Sequence, residues 1–169
     1  NPLPIQDTLT PMDICIISNG HGEDTIACQL ALALRHNHKD RLVKAIPLVG
    51  SGHAYHTHNI ETIGTNPTFP SGGFIRSITH LVKDLKAGLL RHIVKQRRWI
   101  RTYTKPNTLI IAVGDVTCLW MAACNRNAPI YFLPTAKSDT FMPHSKLERW
   151  LIKRWATHSF PRDTLTTEA

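Results

Sequence analysis

The sequence has no run of about 18 consecutive apolar residues, the length a membrane-spanning helix requires. Its four cysteines, Cys15, Cys28, Cys118 and Cys124, form no CxxC pair, which argues against a zinc knuckle or a thioredoxin-type redox motif. Reduced thiols in a cytosolic protein are the expectation. It also lacks the composition of a disordered chain, since 42% of residues are hydrophobic and only 19% are charged. Acids are in short supply: 12 Asp and Glu face 20 Lys and Arg, a formal net charge of +8. That excess points to an anionic partner, whether nucleic acid, a phosphorylated substrate or a membrane surface. No apolar run follows a basic start, so residues 1–11 read as a polar, Pro-rich tail rather than a signal peptide. Residues 12–169 are enough for one domain with its own core. The first residue is not Met, and Thr166–Ala169 reads as the opening turn of a helix. A piece of a longer protein is therefore expected.

Short β-rich apolar runs alternate with helical patterns. Met12–Ser18 reads as a buried strand and Asp24–Arg35 as a helix, with Asp24 as its N-cap and Ile26, Leu30, Ala33 and Leu34 on its apolar face. Val43–Val49 and Ile60–Gly64 read as strands, Thr65–Ser71 as a loop, and about 73–103 as one long helix. Thr108–Val113 is an unbroken apolar run of the kind that fills a parallel sheet. Helix 116–124, strand 129–133, helix Lys146–Trp155 and strand 157–160 complete the order. Strands alternating with helices predict right-handed βαβ crossovers and an α/β domain: a doubly wound, mostly parallel Rossmann-like sheet.

Ligands in such folds bind beyond the carboxyl ends of strands. The first strand-to-helix turn is Ser18-Asn19-Gly20-His21-Gly22-Glu23-Asp24. Its glycines permit a tight turn and close approach of a substrate, and the helix start offers free N–H groups. Thr25 stands where the dinucleotide fingerprint places its third glycine, and Glu23 and Asp24 would repel a pyrophosphate. A nicotinamide oxidoreductase is thus disfavoured, while a plain glycine turn remains the bland alternative. Pro70-Ser71-Gly72-Gly73-Phe74 opens the long helix and either shapes an acceptor pocket or merely caps it. Asp115 follows the most apolar strand, where a catalytic base or an N-cap is expected. In Thr135-Ala136-Lys137-Ser138, Lys137 either holds a phosphate or is a solvated loop lysine.

His53, His56 and His58 cluster without a carboxylate or cysteine at ligand spacing, so a polar surface loop is preferred to a metal site. The long helix shows an apolar stripe of Ile75, Ile78, Val82, Leu85, Leu89, Ile93 and Ile100, with Gln96 as its polar exception. Arg76, Lys83, Lys86, Arg91, Arg97, Arg98, Arg101 and Lys105 gather on another face, and Asp84 is the only acid in the stretch. A solvated face is the bland reading; an anionic lipid surface is the functional one, with Trp99, Trp150 and Trp155 as interface candidates. Nucleic acid ranks below lipid, because no RNP-like or KH-like motif is present.

Six segments in series carry a resemblance. They are Ser18–Asp24, Pro47-Leu48-Val49-Gly50, Pro70–Phe74, Ala112-Val113-Gly114-Asp115, Thr135–Ser138 and Phe160-Pro161-Arg162-Asp163. In this order the chain resembles the N-terminal half of the lipid-A-disaccharide synthase-related proteins, over nearly its whole length. The resemblance implies the GT-B glycosyltransferase fold, in which two Rossmann-like domains flank the active site. This chain would be the acceptor-side domain, inactive alone, and a C-terminal domain would bind a UDP-sugar donor. The acceptor would be a lipid-linked or phosphorylated sugar, with no cofactor and no metal. Asp115 is the nearest match to the essential acid, with Glu23 and His21 as the other candidate bases. Substrate contacts would come from Ser18, Asn19, Gly20, Gly22, Asp24, Ser71, Gly72, Gly73, Thr135, Lys137 and Ser138. Arg91, Arg97, Arg98 and Arg101 would face the inner side of a membrane, to which a cytoplasmic enzyme attaches peripherally. The alternative is a non-catalytic basic module that binds anionic membrane or a protein partner.

Overall fold

The computed structural model describes residues 12–64, 88–105, 107–125, 128–135 and 146–160. The chain runs β1 (Asp13–Ser18), α1 (His21–Asn37), β2 (Val43–Pro47), α2 (His53–Thr57), β3 (Glu61–Thr62), α3 (Leu89–Tyr103), β4 (Thr108–Gly114), α4 (Val116–Ala122), β5 (Ile130–Pro134), α5 (Lys146–Trp155) and β6 (His158–Ser159). The strands form one six-stranded sheet in the order β3-β2-β1-β4-β5-β6, and every pairing is parallel. The expected α/β class is therefore observed as a doubly wound, Rossmann-like sheet. Its two halves run outward from β1 and β4, so the order reverses between these two strands.

Parallel strands covered on both faces need apolar residues at consecutive positions, and β1 and β4 supply them. Ile14 and Ile16 of β1 and Ile111 and Val113 of β4 join Ala27, Cys28, Ala31, Tyr55 and Ile60 in the core beneath α1 and α2. Cys15, Ile17, Ile110 and Ala112 point the other way, toward Ile100, Cys118, Leu119 and Met121 of α3 and α4. The period-two alternation of a strand thus divides one run between two cores. Cys15, Cys28, Cys118 and Cys124 are all free thiols.

Four sequence expectations are corrected here, wholly or in part. Helix α1 starts at His21 with Gly20 as its N-cap, so Asp24 lies inside the first turn. Its buried face is Asp24, Ala27, Cys28 and Ala31, whereas Ile26 is 46% exposed. Leu30 and Leu34 pack at the margin of this core as expected, while Ala33, like Ile26, is exposed. Small side chains at the centre of the contact let the helix lie close against the sheet. Residues 53–57, expected as loop, form the short helix α2 and bury Tyr55. Of the helix expected across 73–103, the described part, α3, begins at Leu89, and Gly88 before it has a left-handed φ of 89° that helps set this start.

The expected tail 1–11, the loop 65–71, the helical stretch 73–87 and the segments 136–145 and 161–169 lie outside the described residues.

Candidate functional site

The reversal between β1 and β4 places two strand-to-helix turns side by side, where ligands of doubly wound sheets bind. The first carries Ser18, Asn19, Gly20, Glu23 and Asp24; the second carries Gly114 and Asp115. Just beyond β5 comes Thr135, whose N–H donates to the Gly114 carbonyl at 3.1 Å. Asn19 Nδ2 donates to Asp115 Oδ1 at 3.3 Å, and Thr135 Oγ1 donates to Glu23 Oε1 at 3.5 Å. Seven sequence-predicted site residues are thereby gathered at one end of the sheet. The backbones of His21 and Gly22 lie in the same turn. Ser71, Gly72, Gly73, Lys137 and Ser138 lie outside the described residues.

Both turns need glycine at their starts. Gly20 has φ 125° and ψ 174°, a combination that side chains bar, and a Cβ there would lie 3.3 Å from Glu23 Oε2. Gly114 has φ 141°, and a Cβ would stand 3.1 Å from Cys118 Sγ and 3.5 Å from both Asn19 Cβ and Glu23 Cγ. The two missing side chains leave the space that Asn19 and Glu23 occupy between the turns. A Cβ on Gly22 would meet nothing within 4 Å.

The acids in this region are held differently. Asp115 is the N-cap of α4: its Oδ1 accepts from Thr117 N at 2.8 Å and from Cys118 N at 3.3 Å. Together with Asn19, three donors converge on that single oxygen. Asp24 is 1% exposed, and its Oδ1 accepts from Ser18 Oγ at 2.5 Å. Glu23 is half-buried between the turns. Burial raises the Cys118 thiol well above its usual pKa, and the nearby charges of Asp115, Glu23 and Asp24 raise it further. Burial likewise pushes Cys15 up to about 12, so both thiols are inert fillers of the core at neutral pH.

The sequence reading missed Tyr55. It is fully buried, and its hydroxyl lies 2.6 Å from Ser18 Oγ. Burial is the main reason its hydroxyl stays protonated far above the ordinary range. The turn after β2 is also tied in: Leu48 N donates to the Ser18 carbonyl at 2.8 Å, and Gln96 Nε2 of α3 donates to the Leu48 carbonyl at 2.9 Å. Gln96, the polar exception in the apolar stripe, is thus buried and paired.

The outer face of α3 carries Arg91, Val94, Lys95, Arg98 and Arg101, which fall within about 120° at the helical 100° per residue. All five are exposed, Val94 to 67%. Arg97 turns aside, its guanidinium 4.2 Å from the ring centroid of Trp120, a residue the sequence reading did not single out. Trp99 is half-buried against Gly64, Trp155 packs on the core, and Trp150 is 59% exposed. Among the described residues no helix is long and apolar enough to cross a membrane.

His53, His56 and His58 are exposed on and after α2, and His56 Nε2 lies 3.1 Å from the Ser51 carbonyl oxygen. No group of three His, Cys, Asp or Glu side chains among the described residues is placed to hold a metal. A cavity of about 190 Å³ opens at the opposite, amino end of the sheet, lined by residues that include Asp13, Lys44, Tyr103 and Lys105. It contains no sequence-predicted site residue, and Lys44 pairs with Glu61 at 2.7 Å.

No family model matches the chain, and no curated protein matches it in sequence. Among solved structures it is similar to MurG of Acinetobacter baumannii, at 10% identity and a TM-score of 0.45. The similarity covers 88% of this chain and 41% of that protein, so the chain spans less than half of its length.

Proposed function

We propose that this chain is the acceptor-side domain of a two-domain glycosyltransferase, similar to the lipid-A-disaccharide synthase-related proteins. It would receive a lipid-linked or phosphorylated sugar, and a second, C-terminal domain would present a UDP-sugar. One observation carries the reading. The turn at which a dinucleotide-binding sheet would cradle a pyrophosphate is lined here by Glu23, with Asp115 beside it. Carboxylates at that position disfavour a phosphate and suit a sugar hydroxyl, which can donate to them and lose its proton to one of them.

The chemistry is a displacement with inversion at the anomeric carbon. A basic group of the site, a carboxylate or an imidazole, takes the acceptor hydroxyl proton, the new glycosidic bond forms, and UDP leaves with the bonding electrons. Asp115 is the first candidate base, because it is the nearest match to the resembled family's essential acid; Glu23 is the second, and His21 the third. The N–H groups at Gly20 and Gly22 would orient the acceptor. Lys137 would pair with an acceptor phosphate.

The basic outer face of α3 supports peripheral attachment to an anionic membrane. Each basic residue near such a surface contributes about 1 kcal/mol. That face also favours the second reading, a non-catalytic module that docks on anionic lipid.

A transfer assay on the full-length protein, with UDP-sugars and glycolipid acceptors, tests the first reading. Asp115→Asn keeps the cap and removes the base; near-normal turnover would take Asp115 out of that role. Vesicle binding tests the membrane face. Arg98→Glu with Arg101→Glu should abolish binding to anionic vesicles, and unchanged binding would overturn that assignment. Binding without any transfer by the complete protein would favour the non-catalytic module.

A further inference from the structure

Tyr55 belongs to none of the turns that line the site, yet it reaches the residue from which the first turn springs. Its hydroxyl is 2.6 Å from Ser18 Oγ, and Ser18 Oγ is 2.5 Å from Asp24 Oδ1. A serine hydroxyl carries a single proton. Ser18 gives that proton to the carboxylate, so Tyr55 must be the donor to Ser18. The relay therefore runs Tyr55 to Ser18 to Asp24. All three residues are at most 1% exposed, so water does not compete for these bonds.

The relay joins distant parts of the fold. Ser18 ends β1, Asp24 sits in the first turn of α1, and Tyr55 belongs to α2. Asp24 N donates to the Gly20 carbonyl at 2.7 Å, so the residue whose side chain is fixed also closes the turn. Helix α2 is placed in turn by Gly52, with φ 66°. A Cβ there would lie 2.8 Å from Pro47 Cγ and 3.6 Å from the Tyr55 ring.

We propose that Tyr55 is a positioning residue for the site: through Ser18 it fixes the Asp24 carboxylate, and thereby the orientation of the Gly20–Glu23 turn. Its bearing on catalysis rests on the glycosyltransferase reading above, but the relay is testable without any ligand. Tyr55→Phe removes one hydroxyl and keeps the ring in the core.

The experiment follows the backbone amide resonances of Gly20, Gly22 and Glu23, and hydrogen exchange at the Asp24 amide. The variants are Tyr55→Phe, Ser18→Ala and their double. Tyr55→Phe should shift all three resonances and speed Asp24 exchange roughly tenfold, the effect of losing one buried bond in a chain ending on a charge. In the Ser18→Ala background, Tyr55→Phe should add no further change. Ile60→Val, in the same core as Tyr55, should lower the unfolding midpoint and leave the three resonances in place. Ser18→Ala keeps the Tyr55 ring packed and provides the same readout should Tyr55→Phe not fold.

Unmoved resonances, shifts that add independently of Ser18, or equal shifts from Ile60→Val would each overturn the proposal. In full-length enzyme that turns over, Tyr55→Phe should raise the acceptor KM several-fold and leave the donor KM unchanged. Complete absence of transfer would defeat the glycosyltransferase reading while leaving the amide measurements to decide the relay.

Discussion

The two turns at the reversal point look alike in sequence and are built in opposite ways. Each opens on a glycine with positive φ, Gly20 at 125° and Gly114 at 141°, and each carries an aspartate at the start of a helix. In the second turn Asp115 is the N-cap, half-buried, and its carboxylate closes over the N–H groups of its own helix. In the first turn the cap is Gly20, with no side-chain cap bond, and Asp24 points inward to a serine and, through it, a tyrosine. One aspartate is held locally and the other by tertiary structure. The same residue type near the same glycine signal does different work, depending on whether it faces its own helix or the sheet beneath.

The sharpest way to break this contrast is to remove the inward acid. Asp24→Ala leaves the Ser18 hydroxyl, on which Tyr55 in turn rests, without its charged acceptor in a dry core. It should cost about 3 kcal/mol of stability in denaturant unfolding, the upper range for a hydrogen bond to a charged group. A loss below 1 kcal/mol would mean that the inward network contributes no more than an ordinary cap.

Gly20→Ala comes next. Its backbone lies in a region that only glycine enters easily, and strain of this kind costs about 2 kcal/mol. The new Cβ would also crowd Glu23, whose Oε2 lies 3.3 Å from it. Thermal unfolding measures the first effect. A neutral outcome would show that the turn relaxes to another conformation, and that Gly20 is not what holds Glu23 in place.

Asp115 provides the smaller, local counterpart. Asp115→Ala should cost about 1 kcal/mol, the typical value of an N-cap, while Asp115→Asn should cost only a few tenths because Asn caps about as well. The pair separates folding from chemistry. If Asp115→Asn keeps stability and loses transfer, the carboxylate acts on substrate; if it keeps both, Asp115 is a cap alone.

The strands could be read from the sequence to within two or three residues, because an apolar run such as Leu109–Val113 has few other ways to be buried. Helix α5 matched at both ends, Lys146 and Trp155. The buried face of α1 could be read only in part. A pattern search finds Leu30 and Leu34, which pack at the margin of the core, but it weights the exposed Ile26 above Ala27, Cys28 and Ala31, which close packing against the sheet selects. The candidate site was legible only as a set of turns at strand ends, since glycines and acids concentrate there. Its internal wiring was not. Ser18 and Tyr55 lie 37 positions apart, and nothing in the local pattern at 53–58, rich in histidine, announces a buried tyrosine. The cap at Asp115 was visible as an option because capping is a local event.

The smallest effect falls on Gly22, and it sets the two glycines of the first turn against each other. Gly20 is required by its backbone, whereas Gly22 has ordinary helical geometry and open space where a side chain would project. Nothing in the fold asks for glycine there. Gly22→Ala should therefore stabilise the protein, by roughly 0.5 kcal/mol, since alanine loses less backbone freedom in a helix. If the open space is where the acceptor meets the backbone, the same methyl should raise the acceptor KM in the full-length enzyme. A gain in stability with unchanged kinetics would assign that space to solvent and remove Gly22 from the candidate acceptor contacts.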